Sequence, residues 1–171
     1  MKRSFQAQHV KQDAQSWIAD TAMVIGHVTM AKDASVWYHS VVRGDCASIV
    51  IGEGSNVQDL CTLHADKGYD IAIGKSVTIG HNCIIHGCRI GDNVMIGMGA
   101  IIMNGAVIGS HSIIGAGSLV LEGTVIPEYS VVVGNPARII KQVTLQQIQL
   151  IQQNAQHYIA LSKQHKGEES C

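Results

Sequence analysis

Ile90-Gly91-Asp92-Asn93-Val94-Met95, Ile96-Gly97-Met98-Gly99-Ala100-Ile101 and Ile102-Met103-Asn104-Gly105-Ala106-Val107 are consecutive six-residue units, each opening on isoleucine. The phase continues through Ile108, Ile114, Val120, Ile126 and Val132. Upstream it holds at Ile18, Val24, Met30, Val36 and Val42, at Ile51, Val57 and Leu63, and at Ile73, Ile79 and Ile85. Four residues after the aliphatic position stands a small side chain in most units, as at Ala22, Ala34, Ser40, Ser55, Ala100, Ala106, Ser112, Ser118 and Thr124. An amphipathic helix would need apolar spacings of three and four. A sandwich would show variable strands with turns at longer intervals. A strict period of six, rich in β-branched residues, reads as a parallel β-helix built from hexapeptides.

The chain of 171 residues is long enough for one domain with a real core. Aromatic side chains are few, so that core must be aliphatic. A formal net charge of −1 gives no electrostatic case for nucleic acid or an anionic membrane. No apolar run is long enough to span a bilayer. Met1-Lys2-Arg3-Ser4-Phe5-Gln6 lacks an apolar stretch after its basic residues, so no signal peptide is expected. Five cysteines without a C-x-x-C pair fit free thiols in a reducing cytoplasm. Cys61 and Cys83 share a position one coil apart and are expected inside, as buried thiols near enough for a disulfide.

The pattern resembles the hexapeptide-repeat proteins, whose fold is a left-handed triangular prism with three hexapeptides per coil. Handedness and coil size come from that resemblance. The phase slips at three units, of nine residues from Val42, ten from Leu63 and five from Ile85. Extra residues bulge at corners and loops, where sites tend to sit. With three units per coil, Val42, Leu63 and Ile85 stack on one face. Arg43, His64 and His86 then form a column at the spacing of paired strands, about 4.8 Å. His64 and His86 are thus placed to share a metal ion. His81 falls on another face, over Asp59 and beside Gln58. It points away from its own chain's pair and toward a metal on a neighbouring chain, if three prisms pack around a threefold axis. Three neutral imidazoles with an open position form the ligand set of a hydrating or hydrolytic zinc centre. His9, His27, His39, His111, His157 and His165 read as surface histidines.

Taken together, Arg43-Gly44-Asp45, Asn56-Val57-Gln58-Asp59, His64, Gly80-His81-Asn82 and His86-Gly87 resemble the γ-class carbonic anhydrases and their bacterial homologues. The resemblance implies a homotrimer with zinc at each interface, iron or cobalt being alternatives. His64 and His86 would come from one subunit and His81 from the next. It implies reversible hydration of CO2 to bicarbonate by a metal-bound hydroxide that Gln58 orients. Arg43, Asp45 and Asp59 match a charged network at the interface. Arg43 and Asp59 lie on different faces and are expected to pair between chains, setting register more than chemistry. Asn56 reads equally as a turn residue or a site residue, and Asn135 matches a site asparagine of the family. The sequence also departs from the family. Cys46 follows Asp45 where the prototype carries a proton-exporting glutamate. The loop Ala65-Asp66-Lys67-Gly68-Tyr69-Asp70 is short, and Val133 stands at a site-tyrosine position.

The prism is expected over residues 18–137, after a segment that covers its end with Trp17. Thr144-Leu145-Gln146-Gln147 reads as a capping box that opens a helix over 144–162. Ile148, Ile151, Ala155, Tyr158, Ile159 and Ser162 share one helix face, fit to pack on the prism or on a neighbouring subunit. Residues 164–171 read as a disordered tail. Three other readings stay open: an acyltransferase using acyl-CoA, a metal-dependent hydrolase or thioesterase, and a non-catalytic trimer that keeps its metal.

Overall fold

In the computed structural model, which describes residues 1–3 and 9–167, a regular hexapeptide gives a two-residue strand followed by a turn. Met95–Ile96, Ile101–Ile102 and Val107–Ile108 are three successive strands of this kind. Each pairs in parallel with strands one coil away. Ile79, Ile96, Ile114 and Val132 stack on one face. Leu63, Ile85, Ile102 and Val120 stack on the second. Ile73, Ile90, Ile108 and Ile126 stack on the third. The product is a left-handed parallel β-helix of about 7 turns.

Each position of the repeat has its own physical cause. The periodic aliphatic residue points inward, and Val36, Val57, Ile79, Ile96 and Ile114 are fully buried in an aliphatic cluster. The small residue four places on is buried at a corner. Where it is serine, its hydroxyl is satisfied by the next coil: Ser40 donates to the Gln58 carbonyl at 2.6 Å, and Ser55 to that of Gly74 at 2.7 Å. The residue three places after the aliphatic turns the corner in the left-handed region. Asp33, Asn82, Asn93 and Gly99 show φ of 56°, 59°, 53° and 70°. This explains why Asn, Asp and Gly collect there. Gly97, directly after the aliphatic position, is small for a different reason: a Cβ on it would lie 2.4 Å from the Ala116 amide nitrogen.

The three slips are resolved as local features. The nine-residue unit becomes part of the long strand Val41–Ile51, which pairs with Thr62–His64 and then with Ile71–Ile73 and so bends around a corner. The ten-residue unit throws out the loop after His64. The five-residue unit tightens at Gly87, with φ 52°. Lys2–Arg3 and Lys11–Gln12 pair with Met23–Met30 at one end of the prism. An antiparallel hairpin, Ser130–Gly134 with Ala137–Gln142, closes the other.

The capping box forms as read, with the Thr144 side chain and the Gln147 side chain each bonded to the other's backbone. The helix spans Leu145–Lys166, one turn beyond the expected end at Ser162, because Gly167 supplies a left-handed cap at φ 81°. Residues 164–166, expected in the tail, are therefore its last turn, and residues 168–171 lie outside the described residues. The helix packs on its own prism, burying Ile151, Ala155 and Ser162 against strands that include Asn56–Val57 and Thr78–Ile79. His165, expected as a plain surface histidine, anchors the far end. Its Nδ1 meets the Tyr38 hydroxyl at 2.8 Å, and its ring packs on Trp17 and Trp37. Among the described residues no helix is long and apolar enough to cross a membrane.

Candidate metal centre

Arg43, His64 and His86 occupy successive rungs of one parallel face, so the column forms as expected. His64 Nδ1 and His86 Nε2 face each other at 3.1 Å. Each ring is tethered through its other nitrogen: His64 Nε2 to Asp45 Oδ1 at 3.2 Å, and His86 Nδ1 to Asn104 Oδ1 at 2.7 Å. The Asn104 amide is oriented in turn, since its Nδ2 donates to Asp66 Oδ2 at 3.0 Å. Carboxylate and amide oxygens only accept, so the hydrogens sit on the tethered nitrogens. The facing nitrogens then present two lone pairs to each other. Two acceptors cannot bond, and a cation between them removes the conflict. Two imidazole nitrogens on one tetrahedral zinc ion stand about 3.3 Å apart, close to the separation seen.

Asp45 is built to stay ionised. Burial works to raise its pKa, but the Arg43 guanidinium, bonded at 2.5 Å, together with a backbone hydrogen bond and nearby His64, holds the carboxyl below its ordinary value. The carboxylate therefore remains an acceptor for His64. His81 lies on another face. Its Nδ1 pairs with Asp59 Oδ2 at 2.8 Å, and its side chain is 42% exposed. Among the described residues, two groups of three side chains bring metal-capable atoms within 4.8 Å of one another: His64, Asp66 and His86, and Asp45, Cys46 and His64. His81 is in neither. One chain thus presents a facing histidine pair and, on another face, a single histidine. Arg43 and Asp59 do lie apart, and within the chain each has a partner already, Asp45 and His81 respectively.

Asn56 is a buried strand residue and not a turn residue. Gln58 Nε2 donates to Asn56 Oδ1 at 3.2 Å, and Asn56 Nδ2 donates to the Thr78 hydroxyl at 3.1 Å. That hydroxyl donates to Asn154 of the helix at 3.1 Å. The helix therefore fixes the Gln58 amide through a buried relay. Gln58 and His81 line a cleft of about 320 Å³ together with Met95, Ile96, Met98 and Tyr158. Burial, with the Asp59 charge adding to it, raises the Tyr158 phenol above its ordinary value. Asn135 does not join this group within the chain. It sits in the closing hairpin, three coils from His81, roughly 14 Å at the strand spacing.

Cys88 is buried, burial pushes its thiol up to about 12, and it joins neither group of metal-capable side chains. Cys61 and Cys83 are free buried thiols that donate to the Gly80 and Gly97 carbonyls at 3.1 Å and 3.2 Å. The sequence reading missed Asn104 and Asp66. Extending the histidine column by one coil would have reached Met103 and its neighbour Asn104, since Ile85 pairs with Ile102.

The six-repeat bacterial transferase hexapeptide family matches residues 87–122. A Methanocaldococcus jannaschii protein named "Probable carbonic anhydrase" is 53% identical over 146 residues, which cover 85% of this chain and 92% of that one. Gamma carbonic anhydrase 2, mitochondrial, of Arabidopsis thaliana is 40% identical over 92% of this chain, which spans 59% of that protein. A solved hexapeptide transferase family protein from Anaplasma phagocytophilum superposes with a TM-score of 0.92 at 40% identity, over 95% of this chain and 96% of that one.

Proposed function

From the chain's place in the γ-class carbonic anhydrases, a lyase family within the hexapeptide-repeat superfamily to which it belongs, we propose that it hydrates CO2 reversibly at a metal centre shared between chains of a homotrimer. The observation that carries this reading is that His64 Nδ1 and His86 Nε2 face each other at 3.1 Å while each ring's other nitrogen is tethered to a side-chain oxygen. These residues fit a metal, and a neighbouring chain's His81 would complete three neutral imidazoles, a set that suits zinc, with iron or cobalt as alternatives. When bound, such an ion supplies Lewis acidity that brings the pKa of water to about 7.

The chain's own residues do the remaining work. Asp45 and Asn104 hold the two rings in the tautomers that leave Nδ1 and Nε2 free. Asp59 does the same for His81 by accepting from its Nδ1, which leaves Nε2 free. Gln58, held by Asn56, presents a fixed amide at the cleft to orient the reacting oxygen. The cleft's methionine and isoleucine lining suits a small apolar molecule such as CO2. Trimer formation is supported by large apolar side chains left exposed beside both half-sites: Ile84 at 43% and Leu121 at 44% on the His64 face, and Leu60 at 58% and Met98 at 59% near His81. Arg43, 42% exposed at its side chain, has reach to a neighbouring chain.

Acyl transfer from acyl-CoA is the second reading, supported by the transferase name of the superposed structure. Metal content and CO2 hydration, measured on one preparation beside a His81→Ala variant, separate the two. The proposal expects about one ion per chain and hydration that falls to the uncatalysed rate in the variant. A metal-free protein that turns over acyl-CoA would overturn it. Metal without hydration would favour a hydrolase or a non-catalytic trimer.

A further inference from the structure

The loop after His64 carries an acidic side chain that the three-histidine reading leaves unused. Asp66, His64 and His86 bring ligand-capable atoms within 4.8 Å of one another. Donors around one tetrahedral ion at 2.0–2.2 Å stand about 3.3–3.6 Å apart. The shift required is at most about 1.5 Å, and Asp66 is exposed on the loop after His64. One carboxylate oxygen, Oδ2, accepts from Asn104 at 3.0 Å, and among the described residues Oδ1 has no partner. Asn104 also accepts from His86 at 2.7 Å, so one amide fixes both a histidine and the carboxylate beside it. The other group of three does not compete. Its carboxylate, Asp45, is already held by Arg43 at 2.5 Å and bonded to His64 through the nitrogen that faces away from His86.

We propose that Asp66 completes, with His64 and His86, a two-histidine, one-carboxylate site within a single chain. This set takes a divalent ion of the zinc, iron(II) or cobalt(II) class. The proposal deepens the metal reading above and rests on it for the histidine pair. Its consequence is that a chain loads metal without a neighbour's His81, and assembly then tightens and completes a site already charged.

The test is Co2+ titration of metal-stripped, full-length protein, read by the ion's visible absorption, which needs no activity. Four proteins are compared: wild type, His81→Ala, Asp66→Asn, and the double variant. His81→Ala is expected to keep one Co2+ per chain at reduced affinity. Asp66→Asn alone should stay near wild type. The double variant should lose at least a further 10–100-fold, the cost of losing even an outer-sphere partner. A double variant that binds as well as His81→Ala overturns the inference and leaves the three-histidine reading standing. Unchanged binding in His81→Ala with loss in Asp66→Asn supports the inference and overturns the shared site. Wild type without bound Co2+ overturns both. Thermal melts of each variant show that losses are not unfolding.

Discussion

At the scale of single residues, the centre depends on side chains that hold other side chains. Asn104 fixes the His86 tautomer at 2.7 Å and leaves its Nε2 free. Asn104→Ala should therefore lower metal affinity about 10–100-fold with little change in melting temperature. An affinity equal to wild type would show that the ring is oriented by something else. A second residue-scale prediction concerns Asp70, whose carboxylate accepts from the Ser48 hydroxyl and amide at 2.7 Å and 2.8 Å. The Ser48 hydroxyl is the largest cause holding Asp70 below its ordinary value of 3.8, and the Ser48 amide is the next. A folded pKa below the unfolded one means stability that is present above the unfolded value and lost as pH falls through the folded one. Asp70→Asn should thus melt lower than wild type at neutral pH, and the gap should close below about pH 4. A gap that stays constant into acid would remove the charge from the account.

At the scale of the repeat, two glycines test two different causes. Gly97 avoids a clash, since an added Cβ would meet a backbone nitrogen at 2.4 Å, whereas Gly117 meets nothing within 4 Å and serves only its φ of 66°. Gly97→Ala should cost about 2–3 kcal/mol and Gly117→Ala about 1 kcal/mol, read from denaturant midpoints. The reverse order would contradict the corner geometry. The repeat was the most legible part of the chain because each position has one physical job: inward aliphatic, corner dihedral, small corner residue. Stacking the units also placed His64 beside His86 and Asp59 beside His81 before any coordinates. The Asp66–Asn104–His86 chain was not legible, because it runs through irregular units whose loop conformation periodicity does not set. The helix was read from its cap and apolar face. Its extra turn followed from Gly167, a C-terminal signal present in the sequence but unused.

At the scale of the whole molecule, the His64–His86 pair and His81 lie on different faces of the prism, and under the proposed function cyclic packing is the simplest way to join these unlike surfaces of identical chains. Exposed apolar side chains beside each half-site give that packing a driving force. The most direct test of the shared site is complementation between two inactive variants, His64→Ala and His81→Ala. Refolded together at equal amounts, they should place an intact His64–His86 half against an intact His81 at about one interface in four. The account predicts CO2 hydration recovering to about a quarter of the wild-type rate per chain, from two parents that each show none. Mixed assemblies that form but stay inactive would contradict it, because the histidines would then act within one chain.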